Sequence, residues 1–167
     1  MSTNNTKLEI KIHKAVANDS DSLLNLIDAL ADFEKLEPPD KEARERLKKD
    51  IFGTSPKINV LLAEVENKSV GYAIYFFTYS SFLAKSTLYL EDIFVLPEYR
   101  SKGIGKLLFK DCAKVALEMG CGRMEWQVLD WNKPAIDFYL KNGAKHMKEW
   151  FPFRFNREDL ERISTKA

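Results

Sequence analysis

Two glycines stand where an apolar strand gives way to a helix, and this placement suits the binding of a phosphate group. Residues 88–106 contain a strand rich in β-branched and aromatic side chains, a turn, and the start of a periodic apolar helix. The first N–H groups of a helix lack intrahelical partners and lie at the positive end of its dipole. Gly103 and Gly105 allow close approach to these donors, while Arg100 and Lys102 add positive charge. The segment therefore predicts a pyrophosphate site, although an ordinary tight turn before a surface helix would show the same glycines.

The composition indicates one soluble domain without a global charge that would attract nucleic acid. The 167 residues include 26 lysines and arginines against 25 aspartates and glutamates, so the net charge is +1. Cys112 and Cys121 lack the spacing of a zinc site or a disulfide framework, which favours a reducing, cytoplasmic location. The sequence shows no signal peptide and no apolar run long enough to cross a membrane. We expect a flexible N-terminus over residues 1–7 and a single domain over residues 8–167.

The elements before the glycine turn are predicted as a strand, two helices and a hairpin. Alternating apolar residues predict a strand over residues 8–14, and helical apolar spacing predicts a helix that ends at Glu34, before two prolines. A second, mostly charged helix is predicted over residues 40–51, with its first residue as the cap. Two strands, Val60–Glu66 and Val70–Tyr79, flank a polar link of hairpin length.

The elements after the turn alternate between helices and strands. We predict a helix over Ile104–Met119, a strand over Met124–Leu129, and a helix from Pro134 to Asn142. A last pair of strands is predicted on either side of Pro152, followed by a short charged helix over Arg157–Ile163. Hairpins and crossover helices together predict an α/β fold with a central mixed, mostly antiparallel sheet flanked by helices on both faces.

Two motifs carry a family resemblance. They read V-x-P-x-Y-R-x-x-G-x-G over residues 95–105 and W-N-x-P-A-x-x-F-Y-x-x-x-G-A over residues 131–144. Together they resemble the acetyl-CoA motifs of the GCN5-related N-acetyltransferase (GNAT) superfamily. Within it the chain is most similar to the diamine acetyltransferases, the spermidine/spermine and thialysine enzymes, through the blocks LADFE at residues 30–34 and LYLED at residues 88–92. The resemblance implies the GNAT fold.

The resemblance implies that acetyl-CoA is the co-substrate and that the reaction needs no metal. In such enzymes the backbone of the fourth strand pairs with the pantetheine arm, and the glycine turn holds the pyrophosphate. The start of the helix after the second motif also lines the cofactor. The matching residues here are Ile93, Phe94, Val95, Arg100, Ser101, Lys102, Gly103, Ile104, Gly105, Lys106, Asn132, Lys133, Pro134, Ala135 and Tyr139.

The resemblance also implies an acidic site for the amine. The matching substrate-binding residues are Phe33, Glu34, Glu91, Glu125, Trp126, Gln127 and Glu149.

Acetyl transfer requires a neutral amine, yet an alkylamine with a pKa of ~10 is protonated at neutral pH, so a group must take its proton. Glu91 and Asp92 are neighbours on a strand and should point to opposite faces, so at most one faces the acetyl group. We favour Glu91, acting through water, as the group that attracts the ammonium and then accepts its proton. In the alternative, both acids lie at a solvated end of the sheet.

Tyr139 lies within the second turn of the helix that begins near Pro134. The resemblance implies that its phenol donates a proton to the departing thiolate. The pKa of a free thiol is ~8.5 and that of a tyrosine is ~10, so this transfer is nearly balanced. The alternative is a core tyrosine packed against Phe138.

The function implied is acetyl transfer to the primary amine of a polyamine, a diamine or a thialysine-like amino acid, by direct attack in a ternary complex. Spermidine enzymes usually have an acid and a tryptophan after Phe-Thr-Tyr, whereas this chain has Ser80, Ser81 and Phe82, so polyamines are not preferred over lysine-like amines. Other hypotheses are a protein lysine or N-terminal acetyltransferase and a non-catalytic acetyl-CoA-binding module. His13 and His146 lack partners at metal-ligand spacing. The resemblance implies a homodimer.

Overall fold

The computed structural model describes residues 8–165, so the flexible N-terminus predicted for residues 1–7 lies outside the described residues. Contacts divide the chain after Gln127 into two compact units, which are described separately. The elements of the first unit are β1 (Ile10–Lys14), α1 (Ser20–Glu34), α2 (Lys41–Phe52), β2 (Asn59–Val65), β3 (Lys68–Ser80), β4 (Lys85–Val95), α3 (Ile104–Glu118) and β5 (Arg123–Trp126). Those of the second unit are α4 (Lys133–Lys141) and α5 (Arg157–Thr165).

The first unit is a five-stranded sheet in the order β1-β2-β3-β4-β5, with helices on both faces. The first four strands are antiparallel neighbours, and β5 runs parallel to β4. Side chains of β2 alternate between two cores: Leu61 and Ala63 pack with α3, whereas Val60 and Leu62 pack with α1 and α2. The prediction of a mixed, mostly antiparallel sheet between two layers of helices is confirmed.

Local signals fix the ends of α1 and α2. The left-handed backbone of Lys35, with a φ of 58°, ends α1 directly after Glu34. The carboxylate of Asp40 accepts the Ala43 N–H at 2.8 Å, so the predicted cap of the second helix is confirmed. The described helices all fall short of the length and apolar character that a bilayer-spanning helix needs.

A two-residue turn joins β2 to β3. Glu66 and Asn67 have φ values of 50° and 61°, which is the paired left-handed backbone of a tight hairpin turn. Lys68 and Ser69, predicted as part of the link, belong to β3. The hairpin prediction is confirmed with a link one residue shorter.

A bulge interrupts β4 at Glu91. Ile74 and Tyr75, adjacent on β3, pair with Asp92 and Leu90, so Glu91 is an extra residue. Leu90 packs on the α3 face before the bulge, and the odd-numbered Ile93 packs on that same face after it.

The bulge changes where the two neighbouring acids project. The Glu91 side chain projects from the same face of the sheet as that of Tyr89. The Asp92 side chain projects from the same face as that of Phe94, which packs on the α1 face. Tyr89 pairs with Phe76, and Phe76 follows Ile74 of the α1-side core by two residues. The Tyr89 side chain therefore also faces α1. The expectation that the two carboxylates point to opposite faces is therefore wrong, because the bulge removes the alternation on which it rested.

β5 is shorter than predicted and leaves part of β4 without a second neighbour. The strand was expected over Met124–Leu129 but spans Arg123–Trp126, and its parallel ladder covers only Thr87–Leu90 of β4. Over Glu91–Val95 the described strands pair with β4 on its β3 side alone. One edge of β4 is therefore open immediately before the glycine turn.

The second unit contains the predicted helices but not the predicted strands. Asn132 caps α4 by accepting the Ala135 N–H at 3.3 Å, and Gly143 follows the helix with a φ of 88°. The strands predicted on either side of Pro152 are wrong, because residues 150–156 form no ladder within the described chain. Phe153 is 95% exposed, so its β propensity has no neighbouring strand to pack against.

A Gly71→Ala variant is expected to destabilise the first unit by about 2–3 kcal/mol, as a forced contact in a packed sheet does. The added Cβ would lie 2.7 Å from the Phe94 carbonyl oxygen and 3.1 Å from Val95 Cγ2, so β3 and β4 would have to separate. Urea unfolding measures the change. Gly120→Ala is the control, because Gly120 has a φ of 67° with open space around it and should cost only about 1 kcal/mol. Equal losses in the two variants would contradict the predicted clash.

Candidate functional site

The turn before α3 presents a row of N–H groups. Ser101 and Gly103 adopt left-handed backbone, with φ values of 61° and 85°. The helical ladder begins where the Leu107 N–H donates to the Gly103 carbonyl at 3.1 Å. Among the described residues, the N–H groups of residues 101–106 have no acceptor. These consecutive donors at a helix N-terminus have the arrangement that binds phosphate oxygens.

Neither glycine of this turn is required by packing inside the protein. A Cβ at Gly103 would meet no atom within 4 Å, and a Cβ at Gly105 would meet only Val95 Cγ2, at an ordinary 3.8 Å. Backbone conformation requires glycine at position 103, since its φ is left-handed. At position 105 the absence of a side chain leaves the N–H groups of the turn accessible, so that a diphosphate can approach them.

The cations of the turn are held by aromatic rings. Arg100 donates from Nε to the Val95 carbonyl at 2.9 Å, and its guanidinium carbon lies 4.6 Å from the centre of the Phe33 ring. Lys102 Nζ lies 4.9 Å from the centre of the Tyr99 ring. Arg100 thus ties the turn to the end of α1, and its predicted contact with a phosphate stays a prediction.

The open edge of β4 directs backbone groups outward next to this turn. The Leu96 N–H donates to the Val70 carbonyl at 2.9 Å. Since backbone groups alternate along an antiparallel ladder, the N–H and C=O groups of Val95 and Ile93 point away from β3, towards the open edge. Those of Phe94 point to β3 by the same alternation. The edge therefore offers alternate donors and acceptors to an extended ligand.

Acidic side chains gather on the α1 face of the sheet, beside the bulge. Glu91 and Asp92 project from β4, Glu34 ends α1, and the charges of Glu91 and Glu34 both act on the Asp92 carboxyl. Glu125 of β5 pairs with Tyr89 of β4 and helps to raise the pKa of that phenol, so it belongs to the same face. The structure thus brings together three of the four predicted carboxylates of the amine site, together with Asp92.

Asp92 has the most perturbed carboxyl group of this face. Burial, followed by the charges of Glu91 and Glu34, raises its pKa to about 6, and the nearby Tyr72 hydroxyl opposes the rise. Burial also raises the pKa of Glu34. Glu91 is exposed at the bulge. A carboxyl group with a raised pKa beside other acids is a candidate for proton transfer.

The other predicted amine-site residues of the first unit have partners of their own. Glu125 forms an ion pair with Arg123, with 3.0 Å between Oε1 and Nε. Trp126 packs edge to face on Phe109 at a centroid distance of 5.2 Å, on the α3 face and not with the acids. Gln127 is exposed where β5 ends.

The second unit holds the remaining predicted residues. Tyr139 is buried on α4, where burial raises its pKa to about 12, and its ring meets Phe138 at a centroid distance of 5.4 Å. Asn132 caps this helix, and Lys133, Pro134 and Ala135 form its first turn. Glu149 is exposed in a turn outside the helices.

One group of possible metal ligands occurs among the described residues. His13, Asp19 and Glu64 have ligand atoms within 4.8 Å of one another. His13 Nε2 lies 3.4 Å from Glu64 Oε1, and the Asp19 carboxylate accepts the Val16 N–H at 2.8 Å. Among the described residues, His13 Nε2 has no hydrogen-bond partner, so the approach to Glu64 is its one polar contact in this group.

The sequence did not predict that Tyr72 lies beside the acidic residues, and it placed Asp92 on the face of the strand opposite to Glu91. The available signal was the shift of apolar positions from Leu88 and Leu90 to Ile93 and Val95, which marks an inserted residue in the strand. Apolar residues on both faces of β4 hide that shift.

Comparison with known proteins agrees with this geometry. The model of the acetyltransferase (GNAT) family matches residues 23–144. The chain is 39% identical over 168 residues to the thialysine N-epsilon-acetyltransferase of Bos taurus, covering 94% of this chain and 98% of that protein. It is 36% identical to the human spermidine/spermine N(1)-acetyltransferase-like protein 1, covering 90% of this chain and 23% of that longer protein.

A solved structure shows the same fold. AAC(6')-Iy, in complex with the bisubstrate analogue CoA-S-monomethyl-acetylneamine, has a TM-score of 0.72 at 18% identity, with 89% of this chain and 99% of that chain covered. The protein belongs to the acetyltransferase (GNAT) family, and the resemblance predicted from its two motifs is confirmed. The prediction of an acetyltransferase enzyme is confirmed with it.

Proposed function

We propose that the protein transfers the acetyl group of acetyl-CoA to the primary amine of a small cationic substrate, by direct attack in a ternary complex. One observation carries this proposal: a single stretch, residues 91–106, places carboxylates, an open strand edge and a row of free N–H groups in succession. Carboxylates suit a cationic amine, and the N–H groups suit a diphosphate. Adjacent parts of the chain could thus bind the two substrates of the reaction, the amine and acetyl-CoA.

The described residues fit acetyl-CoA. The N–H groups of residues 101–106 would hold its pyrophosphate, and the outward backbone groups of Ile93 and the outward N–H of Val95 would pair with its pantetheine arm. A cofactor-binding role for residues 132–135 is carried by the family resemblance alone. When bound, acetyl-CoA supplies an activated thioester, whose carbonyl the N–H groups of β4 would polarise.

The acidic face would bind the amine. Glu91 is exposed and would attract the ammonium, with Glu34 beside it at the end of α1. Phe33 supplies an apolar wall that Arg100 holds in place. The resemblance alone carries the amine-site roles of four further residues: Glu125, Trp126, Gln127 and Glu149. Tyr139 would donate to the departing thiolate.

Thialysine-like amino acids and polyamines are the substrate classes that we propose. The names of the bovine and human relatives support both classes. Glu125 is paired with Arg123, so Glu34, Glu91 and Asp92 are left for the amine. This compact group matches one ammonium better than a long polycation.

Thiol release from acetyl-CoA, measured with thialysine, spermidine and a histone-type peptide, tests the proposal. We expect kcat/KM for at least one small amine to exceed that for the peptide by tenfold or more. Turnover with the peptide alone would instead indicate a protein acetyltransferase. Acetyl-CoA binding without turnover of any amine would indicate a non-catalytic module.

We also propose a single domain, a homodimer and a cytoplasmic location. A single acetyltransferase domain over residues 8–167 is supported by the family match, which continues past Gln127. A homodimer is supported by exposed aromatic residues such as Trp150 and Phe151, and light scattering at the monomer mass would contradict it. A cytoplasmic location is supported by the unpaired Cys112 and Cys121.

A further inference from the structure

We propose that Asp92, positioned by the buried hydroxyl of Tyr72, accepts the proton that the substrate ammonium loses before attack, and that Glu91 serves to attract the amine. This assignment rests on the proposed function. It moves the base by one residue along β4 and adds a positioning residue on β3.

The bulge makes this assignment possible. Without it, Asp92 would share the face of Leu90 and point into the α3 core. With it, Asp92 pairs with Ile74, which packs on the α1 face, and Phe94 continues that phase. The carboxyl group is therefore partly buried beside Glu91, and Glu91 itself remains exposed to an arriving cation.

Tyr72 is the independent observation that points to Asp92. Its side chain is 0% exposed and packs on Phe94 at a centroid distance of 6.3 Å. Among the described residues, its hydroxyl has no hydrogen-bond partner of ordinary geometry, yet it is close enough to the Asp92 carboxyl to influence the pKa of that group. A buried hydroxyl without a full partner is costly. A small movement of Asp92 towards Tyr72 would satisfy it and fix the carboxyl group.

The charges around Asp92 set its affinity for a proton. Glu34 faces it from α1 and Glu91 from β4, and both oppose its ionisation, as does burial. The Tyr72 hydroxyl from β3 favours ionisation. Arg100, which follows β4, has its guanidinium over the rings of Phe33 and Phe94. These effects raise the pKa of Asp92 to about 6, which is close to the pH at which a base works best.

The proton step is balanced. An N–H bond of the ammonium breaks and an O–H bond forms on the Asp92 carboxylate, so that a cation and an anion become a neutral amine and a neutral acid. No other bond changes in this step. Glu91 and Glu34 keep their charges, and they oppose the return of a negative charge to Asp92.

Asp92→Asn and Glu91→Gln separate the two roles. The first variant should lower kcat about 100-fold, within the range for loss of a general base, and leave acetyl-CoA affinity unchanged. The second should raise KM for the amine about tenfold with kcat within threefold of the original. A loss of kcat in Glu91→Gln that is absent from a folded Asp92→Asn would overturn the proposal.

Tyr72→Phe tests the positioning role, with Tyr75→Phe as its matched control. Tyr75 is also buried on β3 but packs on the opposite face, in the α3 core. Removing the Tyr72 hydroxyl should move the pKa of Asp92 upward by roughly half a unit or more, because a polar group that favours the charged form is lost. The rising limb of kcat with pH, expected near pH 6, should move with it. Tyr75→Phe should leave both unchanged, and equal shifts in the two variants would overturn the link.

A measurement without turnover distinguishes failure of this inference from failure of the proposed function. Carbon-13 NMR of the aspartate carboxyls follows the titration of Asp92 in the full chain, with Asp92→Asn for assignment. A midpoint near 6 that rises in Tyr72→Phe supports the inference even if no tested amine is acetylated. A midpoint near the ordinary aspartate value of ~3.9 would overturn it even if the enzyme is active.

Discussion

A carboxylate introduced at position 105 is expected to lower the affinity for acetyl-CoA about 100-fold without destabilising the fold. The structure tolerates a side chain there, since a Cβ would meet only Val95 Cγ2 at 3.8 Å. A negative charge in the first turn of a helix is favourable to that helix. The Gly105→Asp variant should therefore unfold at the same or a slightly higher temperature.

The expected loss comes from repulsion. The new carboxylate would lie beside the N–H groups of residues 101–106, where two negative phosphates are proposed to bind. At separations of about 6 Å in a partly solvated site, this repulsion amounts to about 2–3 kcal/mol, which corresponds to roughly a 100-fold change in Kd.

Isothermal titration calorimetry with acetyl-CoA measures the effect of Gly105→Asp. Gly105→Asn is the matched control, because it has the same size without the charge and should lose less than tenfold. Equal affinity in Gly105→Asp and the unchanged protein would show that the pyrophosphate binds elsewhere. Added salt should weaken the difference between the two variants.

Tyr139→Phe is expected to lower kcat about 100-fold while acetyl-CoA affinity changes less than threefold. The substitution removes one hydroxyl and keeps the ring that packs on Phe138. Losses of this size follow removal of a hydrogen bond to a developing negative charge. The readout is thiol release at saturating amine together with a separate binding titration.

The raised pKa of Tyr139 changes the expected form of this catalysis. Burial brings it to about 12, against ~8.5 for a free thiol, so complete proton transfer is less balanced than the ordinary pKa of tyrosine suggested. The phenol would act mainly as a hydrogen-bond donor that is protonated throughout the usual pH range. No falling limb in kcat below pH 10 is expected from Tyr139.

The control for Tyr139→Phe is Tyr79→Phe, which removes a hydroxyl from a tyrosine that is 67% exposed on β3. That variant should keep the original kcat. Unchanged turnover in Tyr139→Phe would exclude Tyr139 as the donor, whereas loss of cofactor binding would assign its hydroxyl to acetyl-CoA.

Features set by neighbouring residues were predictable from the sequence. The glycine turn, the cap at Asp40 and the end of α1 before two prolines each depend on a few adjacent residues. The structure places each of them within one or two residues of its predicted position.

Features set by pairing between distant strands were not predictable. The bulge at Glu91 depends on how β4 matches β3, and apolar residues on both faces of β4 allow either register. Residues 150–156 have the aromatic content of strands but no neighbouring strand in the described chain. A sequence pattern records the propensity of a segment and not the presence of its partner.

The open edge of β4 has a consequence for the protein when it carries no ligand. An unpaired strand edge is a template on which a second polypeptide can add and start aggregation. Here the exposed stretch is only as long as Glu91–Val95, with a charged residue at one end. At the other end, the Arg100 side chain already occupies the Val95 carbonyl at 2.9 Å. The edge is thus long enough to pair with a small extended ligand. It is too short and too charged to favour the addition of a strand from a second polypeptide.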